Sequence, residues 1–237
     1  ADPGLRAVIC NSQMVADEVV RYYGVSRDKL QVIYNGVDTD AFHLGLAGEY
    51  RLATRSAAGI PNDVPVLLFV GSGFERKGVP QLLRAAARMQ RADARIVIVG
   101  ADRKLKAMQQ LSEGLGLSRR VLFTGPLKDV RPWYGAADGF VLPTLYDPCP
   151  NAVLEALACG LPVVTSTTCG AQEWVRSGEN GWVVDAVDIN ALAGRLDDLA
   201  GLAGNASARA AARAVAEPLT LPAMADRLLA LYRTLSR

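Results

Sequence analysis

The sequence predicts an α/β fold: a Rossmann-like parallel sheet with helices on both faces. Short β-rich apolar runs recur at "LRAVIC", "LQVIY", "PVLLFV", "ARIVIVG", "RVLFTG", "DGFVLP", "LPVVTS" and "NGWVV". Helical stretches separate most of them, for example Pro80–Gln90, Lys104–Leu115 and Asn151–Ala158. Strands spaced by helices of this length argue for βαβ units. Ligands of such sheets bind beyond the carboxyl ends of the strands, so every loop after a strand is a candidate site.

Taken in order, the first thirty residues stand apart. "LRAVICNSQMVADEVVRYYGV" reads as a strand, an N-cap at Asn11 or Ser12, and an amphipathic helix ended by Gly24. In "VIYNGVD", the pair Asn35-Gly36 predicts a tight turn. After the alternating middle, Ala-rich helices run from about Ile189 to Ala216, and Pro218 and Pro222 are expected to break the chain. A last helix carries Met224, Leu228, Leu231, Tyr232 and Leu235 on one face. Such a stripe packs on its own core or docks on a surface outside it.

Bulk properties narrow the function. The 237 residues suffice for one large α/β domain, or one domain plus an appendage. Half are apolar, 21% are charged and the net charge is +2, with Lys and Arg spread along the chain, which argues against a polyanion partner. No apolar run approaches the roughly 20 residues of a membrane span, and no secretory signal is visible. Cys10, Cys149, Cys159 and Cys169 form no C-x-x-C pair and the sole histidine, His43, lies elsewhere. Reduced, partly buried thiols are therefore expected rather than a zinc site.

The loop in "VLLFVGSGFERKGVPQLLRAA" has the parts of a phosphate loop but neither common fingerprint. Arg76 replaces the third glycine of G-x-G-x-x-G, and Lys77 lies between Arg76 and Gly78, unlike a Walker lysine. Gly71 and Gly73, flanking Ser72, would let a ligand approach the backbone. Arg76 and Lys77 place two cations just before a helix N-terminus, a combination suited to a diphosphate. A solvated turn with two surface bases fits the same pattern.

The second constellation is "YDPCPNAVLEALACGLPVV". Asp147 lies at a strand exit, Asn151 is expected to cap a helix carrying Glu155 one turn in, and Gly160 ends it. Two acceptors so placed, with free N–H groups between them, could hold a polyol attached to phosphate. Spacing alone equally fits an acid stabilising the helix dipole beside a surface glutamate.

Together these segments resemble the donor-binding half of a GT-B retaining glycosyltransferase of family 4 (glycosyl transferases group 1), the family of sucrose and glycogen synthases and bacterial lipopolysaccharide enzymes. "VIYNGVD" resembles its Asn-Gly-Val-Asp turn and "FVGSGFERKGV" its phosphate loop. "RVLFTGPLKDV" is similar to its base-recognition strand and loop. "DPCPNAVLEALACGLPVV" resembles its two-acid motif, with seven residues between the acids. "VGSGFERKGV" and "TSTTCG" are similar to the lipopolysaccharide-core glucosyltransferase I group.

The resemblance implies roles. Lys77, with Arg76, would neutralise the donor diphosphate and stabilise the departing nucleoside diphosphate. Glu155 would accept both ribose hydroxyls and Asp147 would hold hydroxyls of the hexose. N–H groups near Asn151, Ala152 and Val153 would meet sugar or phosphate oxygens, and the loop Gly125, Pro126, Leu127 and Lys128 would read the base through its backbone. A base read that way leaves UDP, ADP and GDP open. Two departures stand out: Ser72 occupies a position where many relatives carry Arg, and Asp147 replaces the commoner Glu. Neither a cofactor nor a metal is implied, because Arg76 and Lys77 supply the charge; the donor would be a UDP-hexose, with glucose the first choice.

Length implies a piece of such an enzyme. Residues 1–30 resemble the end of an N-terminal acceptor domain, 31–220 the nucleotide-sugar donor domain, and 221–237 a helix crossing back to the missing half. The implied partners are the donor and, through that half, a lipopolysaccharide-core or other glycan acceptor. No nucleic acid is implied. The implied location is cytoplasmic, with peripheral association at the inner face of the plasma membrane a further expectation, and the fragment itself is expected to lack turnover. Alternatives are a UDP-sugar epimerase and a non-catalytic nucleotide-binding module on the same scaffold. An NAD-binding domain fits poorly without the third glycine. A glycosidase pair would not need the cationic loop.

Overall fold

The computed structural model describes residues 4–236. Residues 1–3 and 237, which fall in the expected 1–30 and 221–237 segments, lie outside the described residues. The chain runs β1 (Val8–Cys10), α1 (Gln13–Tyr23), β2 (Leu30–Val32), α2 (Leu46–Ala57), β3 (Val66–Val70), α3 (Val79–Ala86), β4 (Arg95–Val99), α4 (Leu105–Gly114) and β5 (Val121–Gly125). It continues through α5 (Arg131–Ala136), β6 (Gly139–Leu142), α6 (Asn151–Ala158), β7 (Val163–Ser166), β8 (Gly181–Val184), α7 (Ile189–Gly201), α8 (Ala206–Ala216) and α9 (Leu221–Leu235). All eight apolar runs form strands.

Six strands form one parallel sheet in the order β5-β4-β3-β6-β7-β8. The order doubles back at β3 and β6, the doubly wound pattern of a dinucleotide-type sheet. Central strands β3 and β6 are covered on both sides and read as unbroken apolar runs, "VLLFV" and "GFVL". Helix α3 packs on α4 and α7, whereas α6 packs on α8 and α5 on α2. At the amino ends of β3 and β6, buried Asp138 accepts from Arg55 at 2.7 Å and from the Val66 N–H at 2.8 Å, and pairs with Arg51 at 2.8 Å. Arg55 is itself buried and also donates to Ala136 and Val64 carbonyls. This paired, hydrogen-bonded ion cluster ties α2 to the sheet, and removing Asp138 would leave the buried Arg55 charge without its partner.

β1 and β2 pair in parallel as a separate two-stranded sheet. β2, expected at the start of the 31–220 segment, is thus joined to the first βα unit. Ser12, not Asn11, caps α1 by accepting from the Val15 N–H, and Gly24 closes it in the left-handed conformation.

Three local expectations need correction. Asn35-Gly36 is not a turn. The segment carries no turn at that pair, and Val37 bridges Thr220 beside the start of α9. Gly36 is there for close approach, since a Cβ would lie 2.6 Å from the Leu221 Cα. The turn follows at Thr39–Ala41, where Asp38 Oδ1 accepts from the Asp40 and Ala41 N–H groups. Helix α3 stops at Ala86 instead of Gln90, because the Asp197 carboxylate takes the Gln90 and Arg91 N–H groups. Pro222 does not break the chain but lies in the first turn of α9, where its missing N–H costs nothing. On that helix Met224, Leu228, Leu231 and Leu235 are half-buried and Tyr232 is exposed; Arg6 donates to the Leu235 carbonyl, tying α9 to the first segment. Among the described residues no helix is long and apolar enough to cross a membrane, and all four cysteines are free and buried.

Candidate functional site

The sheet reverses between β3 and β6, so their carboxyl ends splay apart into a crevice. The loop after β3 carries Gly71 to Lys77, and the loop after β6 carries Asp147 and leads into α6 with Glu155. Topology therefore brings both sequence constellations to one place.

The first loop is built from all sides. The Lys77 N–H donates to Gly73 O and the Val79 N–H to Phe74 O, each at 2.9 Å. From the loop after β4, Asp102 accepts from the Phe74 N–H at 2.9 Å and the Lys104 N–H at 2.7 Å, and those backbone bonds hold its carboxyl below the usual range. The Arg76 carbonyl accepts from the Leu145 N–H at 2.8 Å and Thr144 Oγ1 at 3.0 Å. Gly78, at φ +76°, lets the turn meet the β6 exit: a Cβ there would lie 1.8 Å from Pro143 O. The Lys77 stem lies on Gly71, whose Cβ would be 2.7 Å from Lys77 Cδ. Ser72 and Gly73 are exposed beside it.

The two cations converge on one oxygen. Asp147 Oδ2 is 3.1 Å from Lys77 Nζ and 3.3 Å from Arg76 Nη1, which also donates to Tyr146 O at 2.7 Å. Lys77 is the fixed partner, its side chain 13% exposed against 52% for Arg76. Asp147 is itself buried, and its backbone is held at both ends, donating to Thr168 O and accepting from the Gly170 N–H.

Glu155 is half-buried one turn into α6. Burial pushes its carboxyl above the ordinary range, opposed by a 2.7 Å hydrogen bond from Tyr134 and by the nearby Lys77 charge. Tyr134 is fully buried and its hydroxyl is held far above its usual value, so it stays a donor. The helix does not use Asn151 as its cap. Pro150 occupies that position, and Asn151 Oδ1 accepts from Asn35 at 2.8 Å. Nor is every first-turn N–H free: Val153 donates to Pro150 O at 3.1 Å, while those of Asn151 and Ala152 have no partner among the described residues.

The loop after β5 is different. Gly125 accepts from the Gly100 N–H at 3.0 Å, whereas Pro126, Leu127 and Lys128 are exposed and form no hydrogen bond or ion pair among the described residues. Asp102 and Tyr134 escaped the sequence reading. Asp102 was within its reach, an acid in a loop after a strand. Tyr134 had no local signal, since it lies in α5 and meets Glu155 only through the fold. Among the described residues no group of three or more His, Cys, Asp or Glu is gathered as metal ligands.

Comparisons with known proteins converge on this region. A family model described as glycosyl transferases group 1 matches residues 64–201, and one described as Glycosyltransferase Family 4 matches residues 3–41. The chain is 32% identical over 192 residues to a lipopolysaccharide core biosynthesis glycosyltransferase of Rhizobium meliloti, covering 81% of this chain and 53% of that one. It is 31% identical over 244 residues to D-inositol 3-phosphate glycosyltransferase 1 of Catenulispora acidiphila, covering 96% and 57%. The chain thus spans about half the length of these relatives. A glycosyltransferase structure from Rickettsia africae superposes with a TM-score of 0.88 at 22% identity, over 98% of this chain and 64% of that one. The Anabaena protein HepE in complex with UDP and glucose superposes with a TM-score of 0.81 at 24% identity, over 98% and 63%.

Proposed function

The chain belongs to the glycosyl transferases group 1 family, and from that premise we propose that it is the donor-binding half of a retaining hexosyltransferase. In this reading the full protein moves glucose from UDP-glucose to a lipopolysaccharide-core acceptor. Residues 31–220 bind the donor, residues 1–30 belong to the acceptor half, and 221–237 cross back to it. Catalysis would occur at the cytoplasmic face of the membrane, with the acceptor held by the missing half, and this chain alone would bind donor without turnover.

The observation that carries the reading is the convergence of Lys77 and Arg76 with two acids at the sheet's reversal point. Fixed cations beside a helix N-terminus suit a diphosphate, and they can stabilise the charge that builds on it as the sugar departs. Glu155, held at Oε2 by the Tyr134 hydroxyl and with Oε1 still able to accept, suits a ribose diol. Asp147 lies beside the cations, where a hexose linked to that diphosphate would present its hydroxyls. The free N–H groups of Asn151 and Ala152 suit oxygens of the same ligand, and the exposed backbone of Pro126 to Lys128 suits a base.

A second acceptor class has support of its own, because a matched relative over 96% of the chain is named for D-inositol 3-phosphate. Transfer assays on a full-length protein with each acceptor decide between them. The first experiment is calorimetric titration of this chain with UDP, ADP, GDP and NAD. UDP should bind selectively, and Lys77→Ala and Glu155→Ala should each weaken it by about tenfold to a hundredfold, the loss of a charge-assisted contact of roughly 1.5–3 kcal/mol. Equal binding by the folded variants would sink the assignment.

A further inference from the structure

The cations expected to take a diphosphate are already satisfied by an internal anion. Oδ2 of Asp147 is shared by Lys77 at 3.1 Å and Arg76 at 3.3 Å. The carboxylate cannot swing away easily, because its backbone is bonded on both sides, to Thr168 O and from the Gly170 N–H, and the residue is buried. The Lys77 ammonium is equally confined by the packing of its stem on Gly71.

We propose that Asp147 discriminates between a nucleotide sugar and the bare nucleoside diphosphate at this site, an inference that rests on the donor-binding reading above. A diphosphate arriving at Lys77 and Arg76 competes with the carboxylate for their charge and N–H donors. Without a sugar, the buried carboxylate is then left facing a second anion with no donor to replace the cations. Burying an uncompensated charge is strongly unfavourable. With a hexose attached, hydroxyl groups arrive beside Asp147 and donate to it, so the exchange costs little. The same carboxylate therefore raises the relative affinity for intact donor and, once the sugar has gone, favours release of the nucleoside diphosphate. Lys77 and Arg76 do not distinguish the two ligands, since both carry the diphosphate.

The test is calorimetry on the whole chain, wild type and Asp147→Asn, with UDP, UDP-glucose and inorganic pyrophosphate, and with ADP and GDP pairs in parallel. Asparagine keeps the volume of the side chain and removes its charge. The expected result is UDP and pyrophosphate bound at least about tenfold tighter by the variant, with UDP-glucose unchanged or weaker, so that the ratio of the two nucleotide affinities shifts by at least the same factor. Equal tightening of UDP and UDP-glucose would make Asp147 a plain electrostatic barrier and overturn the discrimination while leaving the donor site standing. Binding of no nucleotide by the folded wild type would overturn the donor reading itself. Should Asp147→Asn unfold, Asp147→Ser gives the same two comparisons, and the charge-keeping Asp147→Glu should leave pyrophosphate affinity within about threefold of wild type.

Discussion

Two glycine-bearing loops leave the same sheet from strands separated only by β4, and they are built differently. The loop after β3 is fixed by Asp102, by Thr144 and Leu145 across the crevice, and by glycines that admit Pro143 and the Lys77 stem. The loop after β5 has one backbone bond at Gly125 and then exposed residues. The first arrangement holds two cations on one buried carboxylate, Asp147, from a backbone bonded on several sides. The second leaves Pro126, Leu127 and Lys128 without a hydrogen bond or ion pair among the described residues, and its Asp129 is paired only with the neighbouring Arg131, at 2.8 Å. Preorganisation is thus concentrated where charge is handled, because misplacing a cation costs more than misplacing a backbone contact that can adapt.

The sharpest test uses two glycines with nearly the same backbone. Gly78 and Gly125 have φ +76° and +71°, but a Cβ on Gly78 would strike Pro143 O at 1.8 Å whereas one on Gly125 meets nothing within 4 Å. Gly78→Ala should therefore destabilise the chain by about 3 kcal/mol or more, strain plus clash, and Gly125→Ala by only about 1 kcal/mol of conformational strain. Denaturant melts of both variants measure this directly, and similar losses would erase the contrast. Next in size, Asp102→Asn can accept only one of the two N–H groups that the carboxylate now serves. Its cost should be about 1–3 kcal/mol, with nucleotide affinity falling as the loop loosens.

Asp102 and Glu155 should also differ in the sign of their pH dependence. The folded state lowers the carboxyl of Asp102, so its contribution is present above the ordinary value of 3.8 and is lost as pH falls through the lowered one. Glu155 is raised above 4.5 by burial, so the folded state protonates more readily than the unfolded and its ionised form costs stability at neutral pH. Glu155→Gln should then be at least as stable as wild type at pH 7, with the advantage shrinking as pH drops through the raised value. Wild-type stability growing relative to the variant with rising pH would contradict this. The smallest effect is expected at Leu127→Ala, within about 0.5 kcal/mol in stability and within about threefold in nucleotide affinity if the base is read by backbone.

The sequence alone determined the alternation of strands and helices, because burial on both faces makes central parallel strands continuous apolar runs whose pattern is local. It also determined which residues carry charge into the loops: Arg76 and Lys77 before α3, Asp147 and Glu155 around the start of α6. Whether these were a site or a solvated turn and a surface acid was not a local question. Only the sheet order, by reversing between β3 and β6, brought Lys77 to 3.1 Å from Asp147. Only the packing of α5 placed Tyr134 on Glu155. The misread details share that cause. Asn35-Gly36 has turn composition, and Asn151 has capping chemistry, but neighbours far away in sequence claimed them: the backbone at Leu221 excludes a side chain at Gly36, and Asn35 occupies the Asn151 oxygen. Local propensities amount to fractions of a kcal/mol to about 1 kcal/mol per residue, and a single steric exclusion or buried hydrogen bond between distant segments is enough to overrule them.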